Sequence, residues 1–150
     1  MNSAGQKVNV AELLAQGQTV QFPPTGWSMY PLLVPGRDQV IVEPVDPAAL
    51  RRGDVALYRR DQGILVLHRI CRVRPEGFYL VGDNQKEVEG PLRPSQFLGR
   101  MAAVVRKGKT VSVRHPAYRA LAGTWLALRP VRPALSKAAA RVRRLFRPAR

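Results

Sequence analysis

The stretch ILVLHRICRVRPEGFYLV, residues 64–81, contains the two clearest strand patterns of the chain. Residues 64–73 are rich in apolar and β-branched side chains, and residues 78–81 form a second apolar run that ends at the turn sequence Gly82-Asp83-Asn84. Similar short runs occur on both sides of this stretch, at residues 39–43, 55–58, 97–106 and 110–114. Strands this frequent, with few helical signals between them, predict a coiled, mostly antiparallel β domain.

The composition indicates a folded protein with one domain and an appendage. The chain has 150 residues, of which 45% are hydrophobic, and this is enough for a proper core. Its single cysteine, Cys71, excludes an internal disulfide framework and, with only two histidines, argues against a structural zinc site. Residues 1–21 lack the apolar run of a signal peptide, and no stretch approaches the roughly 20 apolar residues of a membrane span. We expect a soluble or surface-bound protein in a reducing compartment.

The charge is concentrated in the second part of the chain. Residues 1–89 carry 10 basic and 10 acidic side chains, whereas residues 90–150 carry 15 basic side chains and no acidic one. After Pro116 the apolar spacing becomes helical, and the basic side chains lie largely on the opposite face. Such a helix is typical of a segment that binds an anionic membrane surface, and docking on the β domain or on a partner is the alternative. Nucleic acid is a less favoured partner.

These patterns divide the chain into three parts. Residues 1–17 form an N-terminal segment in which a short helix is expected, and residues 18–115 form the β domain. Residues 116–150 form a basic, amphipathic helical tail.

Two short motifs carry the candidate chemistry. Ser28 lies in the turn sequence GWSMYP, residues 26–31, and His68 lies in the strand sequence LHRI, residues 67–70. A serine hydroxyl becomes a good nucleophile when a neighbouring base takes its proton, and an imidazole has a suitable pKa for that task near neutrality. The pair therefore indicates a peptidase.

Several motifs in register resemble the signal peptidase I family, whose clan includes the self-cleaving LexA-type repressors. They are GWSMYPLL at residues 26–33, GRD at 36–38, LRRGDV at 50–55, LHRI at 67–70 and GDN at 82–84. The resemblance covers about residues 18–106. It implies the β-rich peptidase fold of that family and cleavage of peptide bonds by an activated serine, and we expect no cofactor or metal.

The resemblance is to the branch of the family that uses histidine as its base. Typical bacterial signal peptidases and LexA-like repressors use a lysine, whereas the archaeal and endoplasmic-reticulum enzymes have a histidine at that position. No lysine occurs between Lys7 and Lys86, and Arg69 does not release its proton. By this comparison Ser28 is the nucleophile and His68 the general base.

Other residues of the candidate site have supporting roles. The backbone N–H of Ser28 is expected to contribute to the oxyanion hole, and Trp27 and Met29 are assigned to the substrate groove. The resemblance implies that Asp83 supports the imidazole, because it matches an aspartate of the histidine branch. Glu89 lies near a second such position, where the family prefers aspartate, and is the weaker candidate.

We expect a serine endopeptidase that cleaves a leader or signal-like segment of another polypeptide, bound as an extended strand. Its expected location is cytoplasmic or peripheral at the inner membrane surface. One alternative is a peptidase fold without activity that binds a peptide. Another is a self-cleaving LexA-like regulator, although that function would require a DNA-binding module and favours a lysine base.

Overall fold

The computed structural model describes residues 9–145, and beyond residue 142 it describes the backbone alone. In this part of the chain one short helix precedes the strands and two longer helices follow them. The helices are α1 (Val10–Ala15), α2 (Pro116–Ala127) and α3 (Arg132–Leu145). The strands are β1 (Val20–Phe22), β2 (Asp38–Glu43), β3 (Val55–Arg59), β4 (Leu65–Arg74), β5 (Gly77–Val81), β6 (Glu89–Leu92), β7 (Phe97–Arg106) and β8 (Lys109–Ser112). Single 3₁₀ turns lie at Pro47–Ala49 and Pro94–Gln96.

The strands form one antiparallel sheet in the order β1-β2-β7-β3-β4-β5-β6, and β8 also pairs with β7. Strand β7 joins the two parts of the sheet, because it pairs with β2 through Met101↔Val42 and with β3 through Arg100↔Ala56. The register shifts within the β2–β7, β3–β7 and β4–β5 pairs, and such irregularities bend strands and increase their twist. The mainly β, antiparallel architecture expected from the sequence is confirmed.

Two apolar clusters make up the core. The first is formed by α1, β1, β2, β3 and β7 together with the loop that carries Met29, and the second lies around Tyr58, Ile70 and Leu80. Tyr58 and Ile70 are fully buried. Met29 is also buried, and burial of a side chain of this size stabilises a fold by about 1.5–3 kcal/mol. The first cluster therefore anchors the loop next to Ser28.

The tail forms two helices with different surroundings. On α2, Ala122 and Leu126 are buried, and the partly buried Tyr118 packs against the first core cluster. On α3, by contrast, Leu135 and Val142 are about half exposed. Helix α2 is thus docked on the β domain. No helix in the described range is both long and apolar enough to cross a bilayer.

Candidate active site

Ser28 lies in the loop between β1 and β2. Gly26 has a φ of +73°, a left-handed conformation that favours glycine, and it turns the chain just before the serine. The Tyr30 N–H then donates to the Trp27 carbonyl at 3.1 Å, which closes a tight turn around Ser28. Ser28 is half-buried, whereas the adjacent Met29 is buried. The loop therefore presents the serine at the surface and holds it there through the methionine.

The turn at Gly82-Asp83-Asn84 packs directly against this loop. The Asn84 N–H donates to the Ser28 carbonyl at 2.8 Å. Gly82 has no room for a side chain, because a Cβ atom there would lie 2.6 Å from the Ser28 carbonyl oxygen. Two of the motifs found in the sequence are thus in contact, and a glycine is needed at their closest approach.

His68 lies on β4, where it pairs in register with Ala56 of β3. It is only 4% exposed, and this burial lowers the pKa of its imidazole to about 4. This value is a net result, in which the charges of Glu89 and Asp83 raise the pKa and the positive charge of Arg60 lowers it. His68 is therefore neutral at pH 7, which is the form able to accept a proton.

Ser28 and His68 line the same cavity, which has a volume of about 420 Å³. Most of its other walls are apolar, and they include Pro24, Met29 and Leu57. Among the hydrogen bonds of the described residues, none joins the side chains of Ser28 and His68 directly. Hydrogen bonds of catalytic groups are often long before substrate binds and shorten in the complex. The cavity thus contains a candidate nucleophile on the loop between β1 and β2 and a neutral candidate base on β4.

A chain of polar groups lies behind His68. The Tyr58 hydroxyl oxygen is 3.2 Å from His68 Nδ1 and 2.6 Å from Glu89 Oε2. Glu89 also accepts two hydrogen bonds from Arg60, each of 2.8 Å, and these lower the pKa of the carboxyl group. Burial and the bond to Glu89 raise the pKa of Tyr58 well above its ordinary value. The hydroxyl is therefore protonated at neutral pH and the carboxylate is ionised.

Sequence reasoning did not single out Tyr58. The sequence did indicate that this tyrosine is buried, because it belongs to the apolar strand pattern of residues 55–58. A buried tyrosine hydroxyl needs a hydrogen-bond partner.

The structure places the Asp83 carboxylate on Arg69, not on the imidazole. Arg69 Nε and NH2 each donate to it at 2.8 Å, and both side chains are about 1% exposed. A buried guanidinium needs a counter-charge, and this explains why Asp83 turns towards Arg69. Of the two acids named from the sequence, Glu89 is thus the one linked to His68, through Tyr58. Asp83 acts on His68 only through its charge.

The other assigned site residues have different positions. Met29 lines the cavity, but Trp27 is not among its lining residues. Trp27 is 57% exposed, and its ring packs beside Tyr30 with 5.8 Å between the ring centroids. Within the described residues no acceptor is bonded to the Ser28 backbone N–H, so this donor remains available in the loop.

A larger cavity, of about 630 Å³, lies between α2 and the sheet. Arginine side chains dominate its polar wall, including Arg52, Arg69 and Arg100. Its lining contains Ser112 but no histidine within the described part of the chain. Its carboxylates, Glu43 and Asp54, are within 4 Å of Arg100, and no imidazole accompanies the serine among the described residues, so the smaller cavity is the better candidate for an active site.

Comparisons of the chain with models of known protein families, with curated proteins and with solved structures find no match. The functional assignment therefore depends on the sequence motifs and on the geometry of the cavity that Ser28 and His68 share.

Proposed function

We propose that the protein is a serine endopeptidase of the signal peptidase I type, with Ser28 as nucleophile and His68 as general base. The observation that supports this most strongly is the shared cavity, in which the serine is accessible and the imidazole is neutral at pH 7. Ser28 Oγ attacks the carbonyl carbon of the scissile bond while His68 Nε2 takes its proton. The imidazolium then gives this proton to the leaving amine. A water molecule, activated by the same imidazole, hydrolyses the acyl-enzyme.

Charge that develops on the substrate carbonyl oxygen needs hydrogen-bond donors. The Ser28 backbone N–H is proposed as one of them, since it belongs to the nucleophile itself and no acceptor in the described residues occupies it. The loop is braced on one side by buried Met29 and on the other by the Asn84 N–H, so the donor is held before substrate arrives. Such preorganisation is the main source of transition-state stabilisation in acyl transfer.

The proposed substrate is an extended segment of another polypeptide, such as a leader or signal-like peptide. Strand β1 is at one edge of the sheet and pairs only with β2 among the described strands. Phe22 of this strand and the following Pro23 and Pro24 line the cavity. A peptide added along β1 would therefore have its backbone hydrogen-bonded beside the serine, and its side chains would enter an apolar pocket.

The proposal is tested by labelling with a serine-directed fluorophosphonate probe. We expect no labelling of Ser28→Ala, which lacks the nucleophile, and labelling of His68→Ala at least a hundredfold slower than native, because general base catalysis contributes about 10²–10⁴ to such reactions. Ser136→Ala, at an exposed position on α3, is the matched control and should label like native protein. Equal labelling of native protein and the Ser28→Ala variant would rule out the enzyme. Peptide binding without labelling would then support the inactive binding module.

The LexA-like alternative requires the protein to cut its own chain. Intact mass measured during incubation of the purified protein separates the two functions. A Ser28-dependent loss of full-length chain would favour self-cleavage, whereas a stable chain that labels with the probe supports an enzyme acting on another polypeptide.

We also propose that the protein binds anionic membranes peripherally through its tail, and that α3 makes the contact. Leu135 and Val142 are exposed on α3, whose other face carries Lys137 and Arg141. Helix α2 buries Ala122 and Leu126 on the β domain and exposes Leu121, so less of its apolar face is available than on α3. A cationic helix with unpartnered apolar side chains fits a lipid interface that carries negative charge. This contact would place the enzyme at the inner membrane surface.

The membrane proposal is tested by flotation with vesicles of phosphatidylcholine that contain phosphatidylserine or lack it. Deletion of residues 134–150 removes most of α3 while leaving α2 docked, so folding should be retained. We expect native protein to float only with the anionic vesicles and the truncated protein to float with neither. Native protein that does not float, or unchanged flotation of the truncated protein, would contradict the assignment. A nucleic-acid shift at matched salt tests the less favoured partner.

A further inference from the structure

The Tyr58 hydroxyl lies between two groups that constrain its single hydrogen. Glu89 is ionised, and an ionised carboxylate only accepts hydrogen bonds. The 2.6 Å contact between the Tyr58 hydroxyl and Glu89 Oε2 therefore uses the hydroxyl hydrogen. In its 3.2 Å contact with His68 Nδ1, the hydroxyl oxygen then acts as acceptor, so the hydrogen between these two atoms belongs to the imidazole.

We propose that Tyr58 is a positioning residue that, held by Glu89, fixes His68 in the Nδ1–H tautomer and directs an unprotonated Nε2 towards the cavity. The catalytic consequence rests on the proposed function, because only an unprotonated Nε2 can take the Ser28 proton. The tautomer itself does not depend on any activity. Tyr58 thus occupies the place behind the imidazole that a carboxylate holds in a serine-histidine-aspartate triad.

Arg60 explains why Glu89 acts through the tyrosine. Its guanidinium binds both carboxylate oxygens, at 2.8 Å from Nε to Oε1 and from NH2 to Oε2. This bidentate pairing fixes the carboxylate plane and leaves Oε2 facing the Tyr58 hydroxyl. The Tyr58 ring is fully buried and packs beside Phe97 at 6.1 Å between centroids, so the hydroxyl has little freedom to move. Three side chains therefore hold His68 in position: Tyr58 on β3, Arg60 directly after β3 and Glu89 on β6.

The tautomer is measured by long-range ¹H–¹⁵N correlation spectra of the imidazoles in the ¹⁵N-labelled full chain at pH 7. His115 is an internal comparison, because its Nδ1 accepts the Ala117 backbone N–H at 3.2 Å, a geometry that corresponds to the Nε2–H tautomer. We expect His68 as the Nδ1–H tautomer in native protein and a shift towards Nε2–H in Tyr58→Phe. A native His68 in the Nε2–H form, or a Tyr58→Phe spectrum identical to native, would overturn the proposal.

A matched control is provided by Tyr79 on β5, whose hydroxyl donates to Glu76 at 2.9 Å in an exposed hydrogen bond. Tyr79→Phe removes the same hydroxyl from a tyrosine–glutamate pair and should leave the His68 signals unchanged. Glu89→Gln keeps Tyr58 in place and removes the charge that orders its hydroxyl, so it should shift the tautomer partially. If Tyr58→Phe does not fold, as judged from the dispersion of its spectrum, the Glu89→Gln result decides.

Probe labelling separates failure of this inference from failure of the proposed function. If native protein labels faster than Ser28→Ala, we expect labelling of Tyr58→Phe to be slower than native by about tenfold or more, and that of Tyr79→Phe to be unchanged. Native-rate labelling of Tyr58→Phe would overturn the positioning role while leaving the enzyme intact. If native protein does not label, the proposed function fails, and the tautomer result still decides whether Tyr58 controls His68.

Discussion

Replacing Asp83 by asparagine should destabilise the fold strongly, because it would leave the Arg69 guanidinium buried without its counter-charge. The two side chains are about 1% exposed and share two hydrogen bonds of 2.8 Å. Removing one partner of such a pair costs about 3–5 kcal/mol. For a chain of this length each kcal/mol lowers Tm by roughly 2–4 °C, so the expected decrease is roughly 6–20 °C. The remaining acceptors, the Gly53 carbonyl at 2.8 Å and the Tyr118 hydroxyl at 3.4 Å, carry no charge to replace the lost one.

The measurement is urea unfolding followed by tryptophan fluorescence, with the midpoint and the slope m fitted together. Asp61→Asn is the matched control, since the Asp61–Arg93 pair is 65–70% exposed and should contribute less than about 1 kcal/mol. The double variant Arg69→Met, Asp83→Leu removes both charges and should recover most of the stability.

Two results would refute this reasoning. One is a loss of less than about 1 kcal/mol in Asp83→Asn, which would mean that Arg69 is not dependent on this carboxylate. The other is a double variant as unstable as the single one, which would show that Asp83 stabilises the fold by something other than neutralising Arg69.

Two further predictions concern the groups around the cavity. The folded-state pKa of His68 is about 4, below the ordinary value of 6.5, so the unfolded chain binds more protons between these values and stability rises with pH. This contribution to the free energy of unfolding, about 3 kcal/mol, is complete above pH 6.5 and is lost as pH falls through 4. It should appear as a difference between native protein and His68→Gln when the free energy of unfolding is measured over pH 3.5–7.5. The same pH dependence in both proteins would contradict it. Gly82→Ala should slow probe labelling at least about tenfold, because its Cβ would lie 2.6 Å from the Ser28 carbonyl oxygen and force the loop to move. Gly123→Ala on α2, where nothing lies within 4 Å of the added carbon, should leave labelling unchanged, and a native rate in Gly82→Ala would show that the loop tolerates the shift.

The sequence predicted the strands that carry longer β-branched or apolar runs, but not the short strands β1 and β6. Strand β6 contains Gly90 and Pro91, which individually argue against a strand, and it forms because β5 offers pairing partners at Phe78 and Leu80. Its position at the edge of the sheet makes a proline tolerable there. Pairing between distant segments, which local patterns do not contain, therefore accounts for what was missed.

The candidate site was predictable as a pair of motifs, whereas its supporting groups were not. Ser28 and His68 could be named because each lies in a recognisable motif, and the structure places both on one cavity. The group behind the imidazole depends on register, since Tyr58 lies two residues beyond Ala56, the partner of His68 on β3. The pairing of Asp83 with Arg69 likewise depends on the burial of Arg69, and the sequence does not show directly that this arginine is buried.

The central place of β7 has a consequence for the order of folding. The loop with Ser28 adjoins β2, His68 lies on β4, and the sheet connects them only by way of β7 and β3. The ion pair between Arg106 on β7 and Asp38 on β2 spans 68 residues, so this part of the sheet forms through contacts that are distant along the chain. During synthesis Ser28 and His68 emerge well before the strand that unites the two parts of the sheet. In the proposed enzyme, a chain still being made would therefore have no assembled site, and hydrolysis would begin only after β7 has joined the sheet.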